Sequence, residues 1–208
     1  MPPISPTKIV CVGRNYPKHA AELGNEVPAE PLIFLKPPSA LIGDGEAIII
    51  PRGFGRIDYE GEIGVIIGGQ ARRVDESQAW SHVAALAPLN DVTARELQRT
   101  DGQWSRAKGF DTFCPVGDPV PSHAVDPGAL ALTTRVNGEV RQQALGEEMV
   151  FSIPFLIAHI SRIMTLEPGD LIATGTPDGV GPLAPGDRVE VEVAGVGIVS
   201  NPVREEAP

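Results

Sequence analysis

The chain has 208 residues, 42% hydrophobic and 21% charged, which places it in the globular range with enough length for one well-filled core. Its 27 acidic residues against 17 basic ones leave a net charge of −10 with no Lys/Arg stripe, so a phosphate backbone would be repelled and nucleic acid is not an expected partner. "MPPISPTKIVCVG" lacks a basic segment followed by a long apolar one, no apolar run approaches the roughly 20 residues of a membrane span, and Cys11 and Cys114 lack disulfide-framework or zinc spacing, so a cytoplasmic protein with no membrane partner and two buried thiols is expected.

In chain order, "KIVCVG" (8–13) reads as a strand. "NYPKHAAELG" reads as a brief helix, with Asn15 able to cap it, Pro17 suited to its first turn and Gly24 to its stop. "PLIFLKP" and "AIIIP" are apolar runs short enough to be strands. "ESQAWSHVAALAPLND" joins a helix start to an apolar run that ends at Asn90 and Asp91, and Thr93 and Glu96 then have capping-box spacing at the head of a further helix. "LTTRVNGEVRQQ" signals a hairpin turning at Asn137-Gly138. "SIPFLIAHISRIM" has helical apolar spacing, with Ser152 as its cap. Two x-Pro-Gly-Asp turns, at 167–170 and 184–187, each feed a strand. With 23 Gly and 21 Pro, short helices and no β-α-β rhythm, the expected fold is mainly β (α+β), a mixed β-rich roll or barrel-like core.

The stretch "RIDYEGEIGVIIGG" (56–69) carries Glu60 and Glu62 in an otherwise apolar strand. Side chains alternate along a strand, so the two carboxylates share one face with Gly64, whose missing side chain could leave room for a ligand. If Asp91 joins them, each carboxylate pair at about 4 Å repels by roughly 4 kcal/mol at an effective dielectric of 20, and a hard divalent cation with all-oxygen ligation would relieve that repulsion. His19 and Glu22, three apart on the first helix, are either a solvated pair or a base oriented by its carboxylate. Lys36 and Lys108 lie in apolar or aromatic settings, where each must either face an anion or send its ammonium out to water. Arg95 and Gln98 could clamp a carboxylate, and "TGTPDGVG" (174–181) offers backbone N–H groups without the ending of a phosphate loop. His82, His123 and His159 have no partner in view.

Taken together, "GRNYPKHAAELG", "PLIFLKPPSALIGDG", "YEGEIGVIIG", "NDVTARELQ", "RAKGFDTFCPVG", "VNGEVRQ", "MVFSIPFLIAHIS" and "LEPGDLIATGTPDGVGP" resemble the fumarylacetoacetate hydrolase family, within it the short acylpyruvate hydrolase and oxaloacetate decarboxylase branch. The match covers nearly the whole chain. The resemblance implies a single catalytic domain over 1–208, with N-terminal strands and the dyad segment in 1–50 and a metal-binding β core in 51–208. It also implies a homodimer and a Mg²⁺ or Mn²⁺ ion held by Glu60, Glu62 and Asp91. His19 and Glu22 would be the water-activating dyad, Lys108 would face the reacting oxyanion, and Arg95, Gln98, Lys36 and Thr176 would contact substrate. The implied activity is metal-dependent cleavage of a carbon–carbon bond in an acylpyruvate-type 2-oxo acid. Oxaloacetate decarboxylation, isomerisation of a related unsaturated oxo acid and non-catalytic keto-acid binding are the alternatives.

Overall fold

A computed structural model describes residues 4–22, 24 and 26–207. Strand β1 (Ile9–Gly13) leads into the short helix α1 (Pro17–Glu22), where Pro17 supplies no N–H at a position that has no partner for one. Gly24 stands in the left-handed region at φ +69°, as its stop role requires. Asn15 does not cap the helix. It is fully buried; its amide donates to the carbonyls of Phe151 and Thr174 at 3.0 and 2.8 Å, and its carbonyl oxygen accepts the Phe151 N–H at 2.8 Å. These long-range bonds prevail over a local cap because a buried amide has no water to fall back on.

Strands β2 (Leu32–Lys36), β3 (Leu41–Ile42) and β4 (Ile48–Ile50) follow. The expected strand through Glu60 is broken at that residue into β5 (Ile57–Tyr59) and β6 (Gly61–Ile67), which enter different sheets. Helix α2 (Glu76–Ala79) precedes β7 (Val83–Asn90) and β8 (Thr93–Ala94), and α3 (Arg95–Thr100) and α4 (Ser105–Lys108) come next. The Thr93–Glu96 capping box does not form: the Thr93 hydroxyl donates to Asp91 O at 2.9 Å, Ala94 takes the cap position, and the Glu96 carboxylate accepts the Arg56 N–H.

Beyond β9 (Cys114–Pro115) and β10 (Val120–Pro121), the predicted hairpin is present as β11 (Ala131–Val136) and β12 (Glu139–Leu145). Asn137 and Gly138 have φ +54° and +82°, the two left-handed residues a type I′ turn requires. Helix α5 (Ile153–Ile163) is the amphipathic helix, with the Ser152 hydroxyl accepting the Phe155 N–H at 3.3 Å. The chain ends in β13 (Leu171–Ala173), β14 (Gly181–Pro182), β15 (Arg188–Val193) and β16 (Gly197–Glu205). The two x-Pro-Gly-Asp turns close alike: the carboxylates of Asp170 and Asp187 accept the N–H groups of Glu167 and Ala184 at 2.7 and 2.8 Å.

The protein is mostly β, as expected. A six-stranded sheet runs β10-β7-β6-β13-β1-β2, a five-stranded one β12-β11-β15-β16-β4, and smaller sheets pair β14-β5-β8 and β3-β9. β1 and β2 extend the large sheet beyond β13, with β1 parallel to β13, so segments 1–50 and 51–208 share one sheet. On one face of that sheet Val10, Ile63, Val65 and Ile172 pack with Leu156, Ile157 and Ile160 of α5; on the other, Ile9, Ile66, Leu89 and Leu171 pack with Cys11 and Cys114. Burial on both faces explains why β6 reads as a nearly continuous apolar run. Both cysteines are buried and free, and burial pushes the Cys114 thiol up to about 12. No helix among the described residues is long and apolar enough to cross a membrane.

Candidate active site: three carboxylates and a histidine in one cavity

The break at Glu60 brings the acidic residues together. β6 and β7 pair antiparallel with Gly61 opposite Asn90, so Asp91 emerges beside Glu60 and donates its N–H to the Glu60 carbonyl at 2.8 Å. The Asn90 side chain accepts the Glu60 N–H at 2.9 Å and holds the bend. One carboxylate oxygen each of Glu60, Glu62 and Asp91 lies within 4.8 Å of the others, and all three residues are at most 4% exposed. Gly61 is required where it stands: a Cβ there would lie 2.0 Å from Thr134 Oγ1. Gly64 leaves no room for a ligand, contrary to expectation, because Leu171 and Leu89 fill the space, at 3.3 and 3.5 Å from where a Cβ would sit.

Charge compensation is uneven. Asp91 is held by Lys36 at 2.7 Å on Oδ1 and by Lys108 at 2.5 Å on Oδ2. Glu60 accepts from Lys108 at 2.8 Å and Arg95 at 2.6 Å. Arg95 also donates to Asp58 at 2.9 Å and to Gln98 at 2.5 Å. Among the described residues the Glu62 carboxylate accepts a hydrogen bond only from the Gly175 N–H, at 2.7 Å. Burial would push the Glu60 carboxyl up, but Lys108 and Arg95 outweigh it and hold Glu60 well below the usual carboxylate range. The Glu62 carboxyl moves the other way: burial raises it, and the charges of Asp91 and Glu60 add to that. Burial also disfavours the Lys108 ammonium, yet Asp91 and Glu60 keep its pKa above the ordinary lysine value. A hard divalent cation fits this donor set, since three converging carboxylates, one without a cationic partner, suit Mg²⁺ or Mn²⁺ rather than zinc.

The histidine and the loop after β13 complete the wall. His19 is 4% exposed, with Nδ1 3.3 Å from Glu22 Oε2. The Glu22 carboxylate in turn accepts the Gly179 N–H at 3.1 and 3.2 Å. Gly179 has φ +92°, and a Cβ there would lie 2.1 Å from the Arg141 carbonyl oxygen, so only glycine fits. Thr176 is buried and accepts from Gln142 Nε2 at 2.8 Å, while the other end of that amide accepts the Gly61 N–H at 2.9 Å. "TGTPDGVG" is therefore tied both to the dyad and to the acidic strand.

Nine of the ten residues singled out from the sequence line one cavity of about 470 Å³. Lys36 is the exception: it is 1% exposed and bonded to Asp91 and to the Val92 carbonyl, so it supports Asp91 from behind and does not face substrate space. Asp58 was not singled out, although it lies at the same two-residue spacing as Glu60 and Glu62 and the pattern could have shown it. Gln142 carries no local signal, whereas Gly175 and Gly179 lie in "TGTPDGVG", whose backbone N–H groups the sequence does offer. The outer wall includes Phe34 and Trp104, packed edge to face with centroids 5.2 Å apart. His82, His123 and His159 are not among the lining residues.

Residues 8–204 match the family described as fumarylacetoacetate (FAA) hydrolase, C-terminal. The chain belongs to the fumarylacetoacetate hydrolase family. Among family relatives, the mitochondrial oxaloacetate tautomerase FAHD1 of Arabidopsis thaliana is 48% identical over 195 residues, which span 91% of this chain and 87% of that protein. The crystal structure of 5-carboxymethyl-2-hydroxymuconate delta-isomerase from Mycobacterium smegmatis superposes with a TM-score of 0.91 at 43% identity, covering 99% of this chain and 81% of that one. The fumarylpyruvate hydrolase of Pseudomonas aeruginosa, in complex with Mn²⁺ and pyruvate, gives 0.91 at 32% identity, covering 96% and 90%. These family relatives are enzymes, and one of them is in complex with Mn²⁺; the acidic trio of this chain could hold a metal ion.

Proposed function

We propose that this protein is a divalent-metal-dependent hydrolase that cleaves a carbon–carbon bond in acylpyruvate-type 2,4-dioxo acids, releasing pyruvate and a carboxylic acid. The observation that carries this reading is the His19–Glu22 pair, which lines the same cavity as Glu60, Glu62 and Asp91. Held by those three carboxylates, Mg²⁺ or Mn²⁺ would supply a Lewis acid beside the 2-oxo group, where negative charge develops as the bond breaks.

Glu22 engages His19 at Nδ1, which leaves Nε2 to take a proton from water. The hydroxide adds to the 4-oxo carbon, and the new oxyanion needs a donor; Lys108, on the cavity wall and firmly protonated, fills that role. When the oxyanion collapses, the C3–C4 bond breaks and its electron pair passes to C3 as the enolate, which a proton from His19 converts to pyruvate. Arg95 and Gln98, bonded to each other beside Glu60, position the substrate carboxylate. The same reading includes a cytoplasmic location and a homodimer; exposed Leu35 on edge strand β2 and Val140 on edge strand β12 offer apolar surface for the latter, which light scattering would test.

A second reading, keto–enol tautomerisation of oxaloacetate, is favoured by the 48% identity to the Arabidopsis tautomerase. There His19 would move a proton at C3 without adding water. Acetylpyruvate, fumarylpyruvate and oxaloacetate, each assayed with Mg²⁺, Mn²⁺ and chelator, separate the two. Metal-dependent pyruvate release from the dioxo acids supports hydrolysis. Enol absorbance changes in oxaloacetate without pyruvate release support tautomerisation, and CO₂ release would identify a decarboxylase. No turnover of any substrate overturns the enzymatic reading.

A further inference from the structure

Arg14 is held in an unusual backbone conformation at the cavity wall. Its φ is +59°, a region that non-glycine residues enter at a cost, and its neighbours fix it there. Trp104 packs against Gly13, 3.1 Å from where a Cβ would sit; the Asn15 side chain is bonded to Phe151 and Thr174; and Gly175 lies so close that a Cβ on it would be 2.7 Å from Asn15 Cβ. The segment therefore presents Arg14 to the cavity in one fixed arrangement. Among the described residues the half-buried Arg14 side chain has no hydrogen bond and no ion pair. In a chain with ten more acids than bases, a half-buried guanidinium left without a carboxylate calls for an anion from outside.

A second cation with no ion pair among the described residues, Arg99, lines the same cavity. Arg95, Gln98 and Arg99 share a face of α3 through i, i+3 and i+4 spacing. Arg95 is buried on Glu60, whereas Arg99 is exposed and lies one turn, about 6 Å, farther along the helix. The helix thus sets one cation at the acidic trio and another about a short carbon chain away, toward the mouth.

We infer that Arg14 and Arg99 form a second anion subsite that receives the distal carboxylate of a dicarboxylic 2-oxo acid, so the site prefers diacids to monoacids of the same length. The inference rests on the proposed action on 2-oxo acids, but its test does not need turnover. Titration calorimetry on the Mn²⁺-loaded protein compares 2-oxoglutarate with 2-oxopentanoate, in which a methyl replaces the distal carboxylate. Binding of the diacid is expected to be about tenfold tighter, the worth of one charge-assisted contact of about 1.4 kcal/mol. Arg14→Met should cut that advantage to about twofold, Arg14→Lys should retain part of it, and Arg99→Met should reduce it less because Arg99 faces water. Raising the salt concentration should shrink the advantage as well. Equal affinities in the wild-type protein, or an advantage undiminished in the Arg14→Met/Arg99→Met double variant, overturn the subsite. An intact advantage without turnover of any substrate overturns the enzymatic reading and leaves the subsite standing; pyruvate release with equal affinities does the reverse.

Discussion

The Glu22 carboxylate accepts the backbone N–H of Gly179 with both oxygens, at 3.1 and 3.2 Å, while Oε2 also meets His19 Nδ1 at 3.3 Å. One side chain thus fastens the loop after β13 and orients the proposed base. Glu22→Gln keeps an acceptor for Gly179 but removes the carboxylate that orients His19. Acylpyruvate hydrolysis should fall by about 10² to 10⁴ in kcat, with Mn²⁺ affinity unchanged, as steady-state kinetics and calorimetry would show. Wild-type kcat in this variant would remove the dyad from the mechanism.

Lys36 and Glu62 should respond in opposite ways. Lys36→Met takes away one of the two ammonium groups on the buried Asp91 and should cost about 3 kcal/mol in urea unfolding. A substrate-contacting lysine would instead leave stability intact and raise KM.

Among the described residues Glu62 has no ion pair, and it sits near two other carboxylates. Glu62→Gln relieves that repulsion, so the metal-free protein should melt at the same temperature as wild type or higher. Its Mn²⁺ affinity should fall at least about tenfold, because a charged oxygen donor has been lost. A lower melting temperature with wild-type metal affinity would reject Glu62 as a ligand.

Asp170 is expected to govern acid stability. Fully buried, it accepts the N–H groups of Thr7, Lys8 and Glu167 and the Thr7 hydroxyl, and pairs with Lys8. Burial opposes its charge, but Lys8 and these donors hold its carboxyl below the usual value. A depressed folded-state value means the stabilisation is complete above the unfolded value of about 3.9 and is lost as pH falls through the lower folded one. Urea midpoints should therefore drop as pH falls below about 4 in wild type, and drop less in Asp170→Asn, which starts from lower stability. Equal slopes for the two proteins would exclude Asp170 from the acid transition.

How much of this could be read in advance depends on how local each signal is. Alternation along a strand put Glu60 and Glu62 on one face, and Asn-Gly announced the hairpin, because both rules act over a few residues. The arrival of Asp91 needed the pairing of Gly61 with Asn90, which no local pattern states. Local rules failed where the fold supplied other partners: buried Asn15 fastens Phe151 and Thr174 instead of capping, and exposed Glu96 turns to Arg56 instead of closing its own helix. The resemblance made Lys36 a substrate contact, while its apolar setting asked only for an anion or a path to water; the anion proved to be Asp91, 55 positions away. The ligand space assigned to Gly64 is instead filled by leucines from two neighbouring strands.

The pairing of acids and bases around β5 and β6 also sets an order of events. Asp58, Glu60, Glu62 and Asp91 face Arg56, Arg95, Lys36 and Lys108, four charges of each sign, so the cluster by itself gives an organic anion no net attraction. A dication seated among the carboxylates would tip that balance to two positive, the mirror image of a doubly ionised oxo diacid. Assembly should therefore be ordered, inorganic partner first and organic anion second, with the empty protein holding its substrate only weakly, through Arg14 and Arg99.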